Sequence, residues 1–242
     1  MELNRIENRN IHATRFEFPT IEFDPAGAIL TFDKPYRCTS FDIVAKLKTH
    51  IRRELKLKIK VGHAGTLDPL ATGLMIVCVG SATKKIDSLM GMEKEYTGTI
   101  QLGATTSSFD LEKEINEIFP YDHITEEMVF KAAQQFLGDQ EQIPPHYSAV
   151  RINGKRAYDL ARDGKEIEIK PKQINISLFE ITRIAFPDID FRIVCSKGTY
   201  IRSIARDFGD ALDTGAHLTA LRRTRIGDFK VEDAIVPIVT QQ

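Results

Sequence analysis

Closely spaced cysteines, metal-binding histidine motifs and long apolar runs are all missing from this 242-residue sequence. Each absence removes a class of protein. The three cysteines, Cys38, Cys78 and Cys195, are far apart and odd in number. A disulfide framework or a zinc ribbon needs paired cysteines, so neither is expected. The six histidines are scattered and none falls in an H-E-x-x-H pattern, so no metal is expected. The longest uninterrupted apolar run, Leu74–Val79, is far too short to cross a bilayer. Arg5, Arg9 and Arg15 occur early, but no apolar stretch follows them, so no signal peptide is expected. The phosphate-loop pattern G-x-x-x-x-G-K-[ST], the dinucleotide pattern G-x-G-x-x-G and the nucleophile elbow G-x-S-x-G are absent as well. What remains is a cytoplasmic protein without metal or membrane anchor, long enough for one large domain or a domain with an insertion.

A formal net charge of −1 argues against a nucleic-acid partner only while the charges are averaged. Residues 34–60 carry nine basic side chains (Lys34, Arg37, Lys46, Lys48, Arg52, Arg53, Lys56, Lys58, Lys60) against Asp42 and Glu54, a net +7. Residues 108–141 reverse this, with nine acidic residues against Lys113 and Lys131, a net −7. A polyanion would be held at the first stretch and repelled by the second. Two solvated helix faces would give the same pattern.

Along the chain, Gly27–Asp33 reads as a strand running into the Lys34-Pro35 turn. Thr39 and Asp42 match a capping box, and Phe41, Val44, Leu47, Ile51 and Leu55 then recur at helical spacing. The segment LMIVCV reads as a buried central strand. A helix from Ser81 to Met90, a strand over Tyr96–Leu102 and a helix over Thr125–Leu137, with Met128, Ala132 and Phe136 inward, come next. Asn153-Gly154 marks a hairpin turn. Strands are expected over Glu166–Ile169, Ile174–Phe186 and Asp190–Cys195, and a helix over Tyr200–Leu212. The fold class expected is α+β, with a mixed, largely antiparallel central sheet and flanking helices.

The densest local signal is Gly62–Gly73, GHAGTLDPLATG. Three glycines and a proline in twelve residues make a tightly shaped loop whose backbone can approach a ligand closely. Asp68 lies inside it, and Pro69 biases it toward extended geometry. An Asx-type turn, in which Asp68 bonds only its own backbone, is an equal alternative from the residues alone.

Several stretches, taken in order, resemble the TruB family of bacterial tRNA pseudouridine-55 synthases. They are GAILTFDKPYRCTSFDIVAKLK, GHAGTLDPLATGLMIVCVGSATK, KEYTGTIQLG, QIPPHYSAVRINGKRAYDLARDG, CSKGTYIRSIARDFG and GAHLTALRRTRIG, together spanning residues 27–227. The resemblance implies a pseudouridine synthase fold with an RNA-contacting insertion at 151–172. It also implies a reaction that breaks the bond from ribose C1′ to uracil N1, turns the base and rejoins it through C5. Substrate and product are isomers, so no cofactor is needed.

The resemblance further implies that Asp68 is the catalytic aspartate, attacking covalently or removing a ribose proton. Tyr96 of the K-E-Y element would stack on the uracil, and Arg202 of GTYIR would pair with Asp68. Tyr200 would pack under the base and Leu221 would line its pocket. His63 would fill the space left by the flipped nucleotide. Arg222, Arg223 and Arg225 are candidates for phosphate contact. Read without the resemblance, Tyr96 would be a core strand aromatic and Arg202 a surface arginine at a helix start. The implied partner is the T-arm stem-loop of tRNA, bound by a monomer.

The family's T-D-T-x-D-x-x-G run departs here to Thr106–Lys113, with Ser107 for the first aspartate and Lys113 for the glycine. The local turn and its RNA contacts are the features this affects. The domain reading is an N-terminal extension over 1–26 and a catalytic domain over 27–242. The small C-terminal RNA-binding domain of many relatives is expected to be absent or minimal. Two competing readings are an RNA-binding protein without turnover and an aspartate-nucleophile phosphotransferase. The latter wants a carboxylate two residues after Asp68, where the chain has Leu70.

Overall fold

The computed structural model describes residues 15–148 and 169–240, with the backbone of 151–152 and 155–156. The chain divides into two compact units, residues 1–90 with 228–242 and residues 91–227. Among the described residues no helix is long and apolar enough to cross a membrane.

The first unit opens with β1 (Phe16–Glu17), β2 (Gly27–Lys34) and α1 (Ser40–Glu54). The capping box is present: the Thr39 side chain accepts from the Asp42 N–H at 3.1 Å, and the Asp42 carboxylate accepts from the Thr39 N–H at 2.7 Å. The buried face of α1 is Ser40, Ile43, Val44, Leu47 and Ile51. Phe41, expected inside, is 68% exposed, and Leu55 is also exposed. At the helix start the inward place is taken by Ser40, whose hydroxyl bonds Leu67, while Val44, Leu47 and Ile51 are buried as expected.

β3 (Val61–His63) and β2 both pair antiparallel with β4 (Thr72–Gly80). Leu74–Val79 are wholly buried, so side chains on both faces of β4 are covered, which is what the unbroken LMIVCV run requires. A 3₁₀ turn (Ser81–Lys85) and α2 (Ile86–Gly91) follow, where the sequence suggested one continuous helix. Phe16 from the stretch before Gly27 joins the core with Phe32, Val44 and Met75, and Phe18 stacks on Phe32 at 4.9 Å.

The second unit is an antiparallel sheet with helices. Its elements are β5 (Lys94–Leu102), β6 (Ala104–Thr106), β7 (Ile115–Ile118), α3 (Glu126–Gln135), β8 (Gly138–Gln142), β9 (Arg151–Ile152) and β10 (Lys155–Arg156). They continue as β11 (Lys172–Ala185), β12 (Asp188–Cys195), α4 (Ile201–Ala211) and β13 (Ala216–Ile226). The strand order is β13-β5-β12-β11-β8, every pair antiparallel. The mixed α+β class with a largely antiparallel sheet is therefore what the chain adopts. Phe179 of β11 packs against Phe136, Phe191 and Phe208 at 5.5–6.2 Å, joining α3, the sheet and α4. Val129, Ala132 and Ala133 form the buried side of α3, so the inner face lies one residue past the expected Met128.

β9 and β10 pair across Asn153-Gly154, consistent with the expected hairpin. That turn and the expected strand start at Glu166 lie outside the described residues. After β13 the chain returns to the first unit as β14 (Phe229–Lys230), a 3₁₀ turn (Val231–Asp233) and β15 (Ile238–Val239), which pairs with β1. Ile235 exchanges two backbone bonds with β2, at 2.9 Å each.

Candidate active site

In the first unit the Gly62–Gly73 loop is pinned from several sides. Leu67 exchanges two hydrogen bonds with the Ser40 hydroxyl, at 2.8 and 3.0 Å. Lys34 is wholly buried, and its ammonium donates to the carbonyls of Cys38 at 2.6 Å, Pro35 at 2.9 Å and Pro69 at 3.3 Å. The Arg37 N–H reaches the same Pro69 carbonyl at 2.9 Å. Gly65 and Gly73 take φ of +108° and +104°, values at which a side chain is strained. Ala64, Leu67 and Ala71 are buried. Asp68, half-buried between them, opens a turn in which the Ala71 N–H donates to its carbonyl at 3.1 Å. Pro69 takes the second position of that turn, where its fixed φ fits. His63, at the end of β3 opposite Val77, is half-buried.

In the second unit the expected residues fall on three neighbouring elements. Tyr96 sits on β5 and is 9% exposed. Its partners across the sheet are Ile193 and Arg223. Leu221 stands opposite Gly98. A Cβ at Gly98 would come within 2.4 Å of the Ala220 carbonyl and 2.8 Å of the Phe191 ring, so glycine is what permits this close pairing. Arg223 is 1% exposed, and Arg225 is engaged by Glu93 at 2.8 Å and Glu95 at 3.6 Å. Arg222, like Arg225, is half-buried. Burial first, and the Arg223 charge second, push the Lys94 ammonium down to about 8.

Tyr200 caps α4 from extended geometry. Gln142 grips its backbone at both ends: the Tyr200 N–H donates to the Gln142 amide oxygen at 2.8 Å, and the Gln142 amide NH₂ donates to the Tyr200 carbonyl at 3.1 Å. Arg202 is buried rather than at the surface. Its guanidinium donates to the carbonyls of Ser108 at 3.2 Å and Tyr147 at 2.9 Å, and lies 3.8 Å from the Asp110 carboxylate.

That carboxylate belongs to the stretch where the chain departs from the family pattern. The stretch folds into a hydrogen-bonded turn. Thr106 and Ser108 both donate to the Asp110 carbonyl, at 2.7 and 3.1 Å. Ser108 accepts from the Lys113 N–H, and Asp110 from the Glu112 N–H. Asp110 and Gln142 are thus two positioning residues that the sequence reading did not assign.

The family model described as TruB family pseudouridylate synthase (N terminal domain) matches residues 52–201. The chain belongs to the TruB family of pseudouridylate synthases. A second model, described as tRNA pseudouridylate synthase B C-terminal domain, matches residues 202–238 of this TruB-family chain. Among similar proteins, the tRNA pseudouridine synthase B of Phocaeicola vulgatus is 57% identical over 210 residues, covering 86% of this chain and 89% of that protein. That of Flavobacterium johnsoniae is 55% identical over 211 residues, covering 86% and 92%. Among solved structures, a Cbf5–Nop10–Gar1 complex aligns with TM-score 0.65 and 28% identity, covering 93% of this chain and 59% of the longer one. The TruB-family assignment makes the chain a pseudouridine synthase, and hence an isomerase.

Proposed function

We propose that this chain isomerises the T-arm uridine of tRNA, position 55, to pseudouridine, with Asp68 as the catalytic aspartate. Supporting the choice of RNA are the relatives named tRNA pseudouridine synthase B, at up to 57% identity over most of the chain. The single observation that carries the role of Asp68 is the pinned loop, in which Lys34, Ser40 and the Arg37 N–H hold the residues on both sides of it. A carboxylate presented from a fixed backbone can attack a nucleoside or take a ribose proton without first being ordered.

In this reading the bond between C1′ and N1 breaks, the uracil turns, and C5 bonds to C1′. The C5 proton leaves and N1 gains one, so atoms and electrons balance without an external reagent. Tyr96 stacks on the base, Tyr200 packs beneath it and Leu221 lines the uracil pocket. Arg202 is the residue this reading pairs with the aspartate to orient it. His63 occupies the space vacated by the flipped nucleotide. Residues 27–242 serve as the catalytic domain and 151–172 as an RNA contact. The enzyme works as a cytoplasmic monomer.

The test is release of tritium from C5-labelled uridine in a T-arm hairpin. The wild type is expected to release it, and Asp68→Asn to lose at least about 10³-fold in rate, as when an essential nucleophile is removed. Hairpin binding without release by the wild type would leave an RNA-binding module instead. Unimpaired release by Asp68→Asn would remove Asp68 from the chemistry.

A further inference from the structure

Arg37 carries two unfavourable features at one residue. Its φ is +59°, in the left-handed region where a side chain is strained and glycine is at ease. Its Nε is buried with no hydrogen-bond partner among the described residues, although a guanidinium is always charged and desolvating its donors is costly. The fold needs the Arg37 backbone, because its N–H holds the Pro69 carbonyl next to Asp68 at 2.9 Å. Glycine would supply that bond without strain. The local backbone therefore asks for glycine, and the chain carries arginine.

The surroundings of the guanidinium suggest what the side chain is for. It lies 5.4 Å over the ring of Tyr36, a residue 44% exposed, so the aromatic face holds the cation near the surface. Thr39, which caps α1 two residues on, is exposed as well. A planar fork of donors in such a place matches the oxygens of a phosphodiester.

We propose that Arg37 binds a backbone phosphate of the RNA beside the Asp68 loop. This rests on the RNA substrate proposed above. The incoming phosphate supplies an acceptor to a half-buried side chain whose Nε has none among the described residues, and the backbone bond to Pro69 couples that contact to the residue following Asp68. Strain of this kind persists where surrounding structure enforces it, typically at ligand-binding positions.

The experiment measures binding of a T-arm hairpin to wild type, Arg37→Gly and Arg37→Lys over a salt series, with thermal unfolding of each protein and hairpin turnover by the wild type. Arg37→Gly is expected to bind about tenfold more weakly at the lowest salt, with a slope of log K against log salt shallower by about 0.7–0.9, one phosphate contact. Its unfolding midpoint is expected to be no lower than that of the wild type, because glycine adopts this φ freely. Arg37→Lys keeps the charge and is expected to keep the wild-type slope. Wild-type affinity and slope in Arg37→Gly would overturn the proposal, as would a slope lost equally in Arg37→Lys. A fall in both binding and unfolding midpoint for Arg37→Gly would overturn it too, by making the side chain structural. If the wild type binds the hairpin but does not convert it, the proposed isomerase activity on T-arm RNA fails, and the salt slope still reports on Arg37. If the wild type does not bind RNA at all, both fall.

Discussion

The loop that carries Asp68 and the turn around Asp110 are each braced by a buried cation, and they use different cations in different ways. In the first, Lys34 gathers the carbonyls of Pro35, Cys38 and Pro69 onto one ammonium. In the second, Arg202 spreads its planar guanidinium over the carbonyls of Ser108 and Tyr147, with the Asp110 carboxylate at 3.8 Å. An ammonium is a compact point charge with three rotatable donors, whereas a guanidinium presents donors in a fixed plane. Lysine suits a site where three carbonyls converge on one point, two from within four residues and one from 35 residues away. Arginine suits one that ties together segments 55 and 94 residues away. Basic residues are therefore not all available to an outside ligand: Lys34 and Arg202 are buried and donate to backbone carbonyls.

The sharpest way to break this comparison is to remove the carboxylate. Asp110→Ala leaves a buried guanidinium without that partner and is expected to cost about 3 kcal/mol of stability. In urea unfolding the midpoint should fall while the slope stays constant. A cost near zero would mean that the carboxylate does not hold Arg202. Lys34→Met is expected to be milder, about 2 kcal/mol, because carbonyls tolerate losing a donor better than a buried charge tolerates losing its partner. Equal costs for the two variants would erase the distinction between the loops.

Gln142→Leu removes two hydrogen bonds to the Tyr200 backbone and is expected to cost about 1–2 kcal/mol. Turnover of a T-arm hairpin should fall in the same variant, with Gln142→Glu, which keeps one acceptor, falling less. The smallest effect concerns Lys94, whose ammonium titrates at about 8 in the folded protein because it is buried, with the Arg223 charge contributing. Its ordinary value, 10.5, is higher, so between these two values the unfolded chain binds more protons. Stability conferred by position 94 should then rise with pH from about 8 to 10.5 and be flat below. Unfolding of wild type against Lys94→Met across that window reads it, and a difference that falls with pH would contradict the assignment.

Much of this was legible in the sequence for local reasons. The capping box at Thr39, the buried run Leu74–Val79 and the shaped loop around Asp68 all depend on residues close together in the chain. Helix faces were less secure, because Ser40, polar by type, turns inward to bond Leu67 and displaces Phe41. Gln142 gave no signal, since a lone amide gripping a backbone 58 residues away leaves no periodicity. Asp110 lay in a stretch marked by its departures at Ser107 and Lys113, yet Thr106 and Asp110 match the family run and the Ser108 hydroxyl bonds the Asp110 carbonyl. Charge counting overstated the exposed positive charge of residues 34–60, because Lys34 is buried. The backbone strain at Arg37 was invisible because arginine stands where glycine would have marked it.

The measurement that tests the central claim most directly is mapping of pseudouridine in an unmodified, full-length tRNA transcript treated with the wild-type enzyme. The account predicts one modified position, the T-loop uridine at position 55, and none after treatment with Asp68→Asn. Pseudouridine formed elsewhere in the transcript with position 55 untouched, or formed by the Asp68→Asn protein, would contradict it.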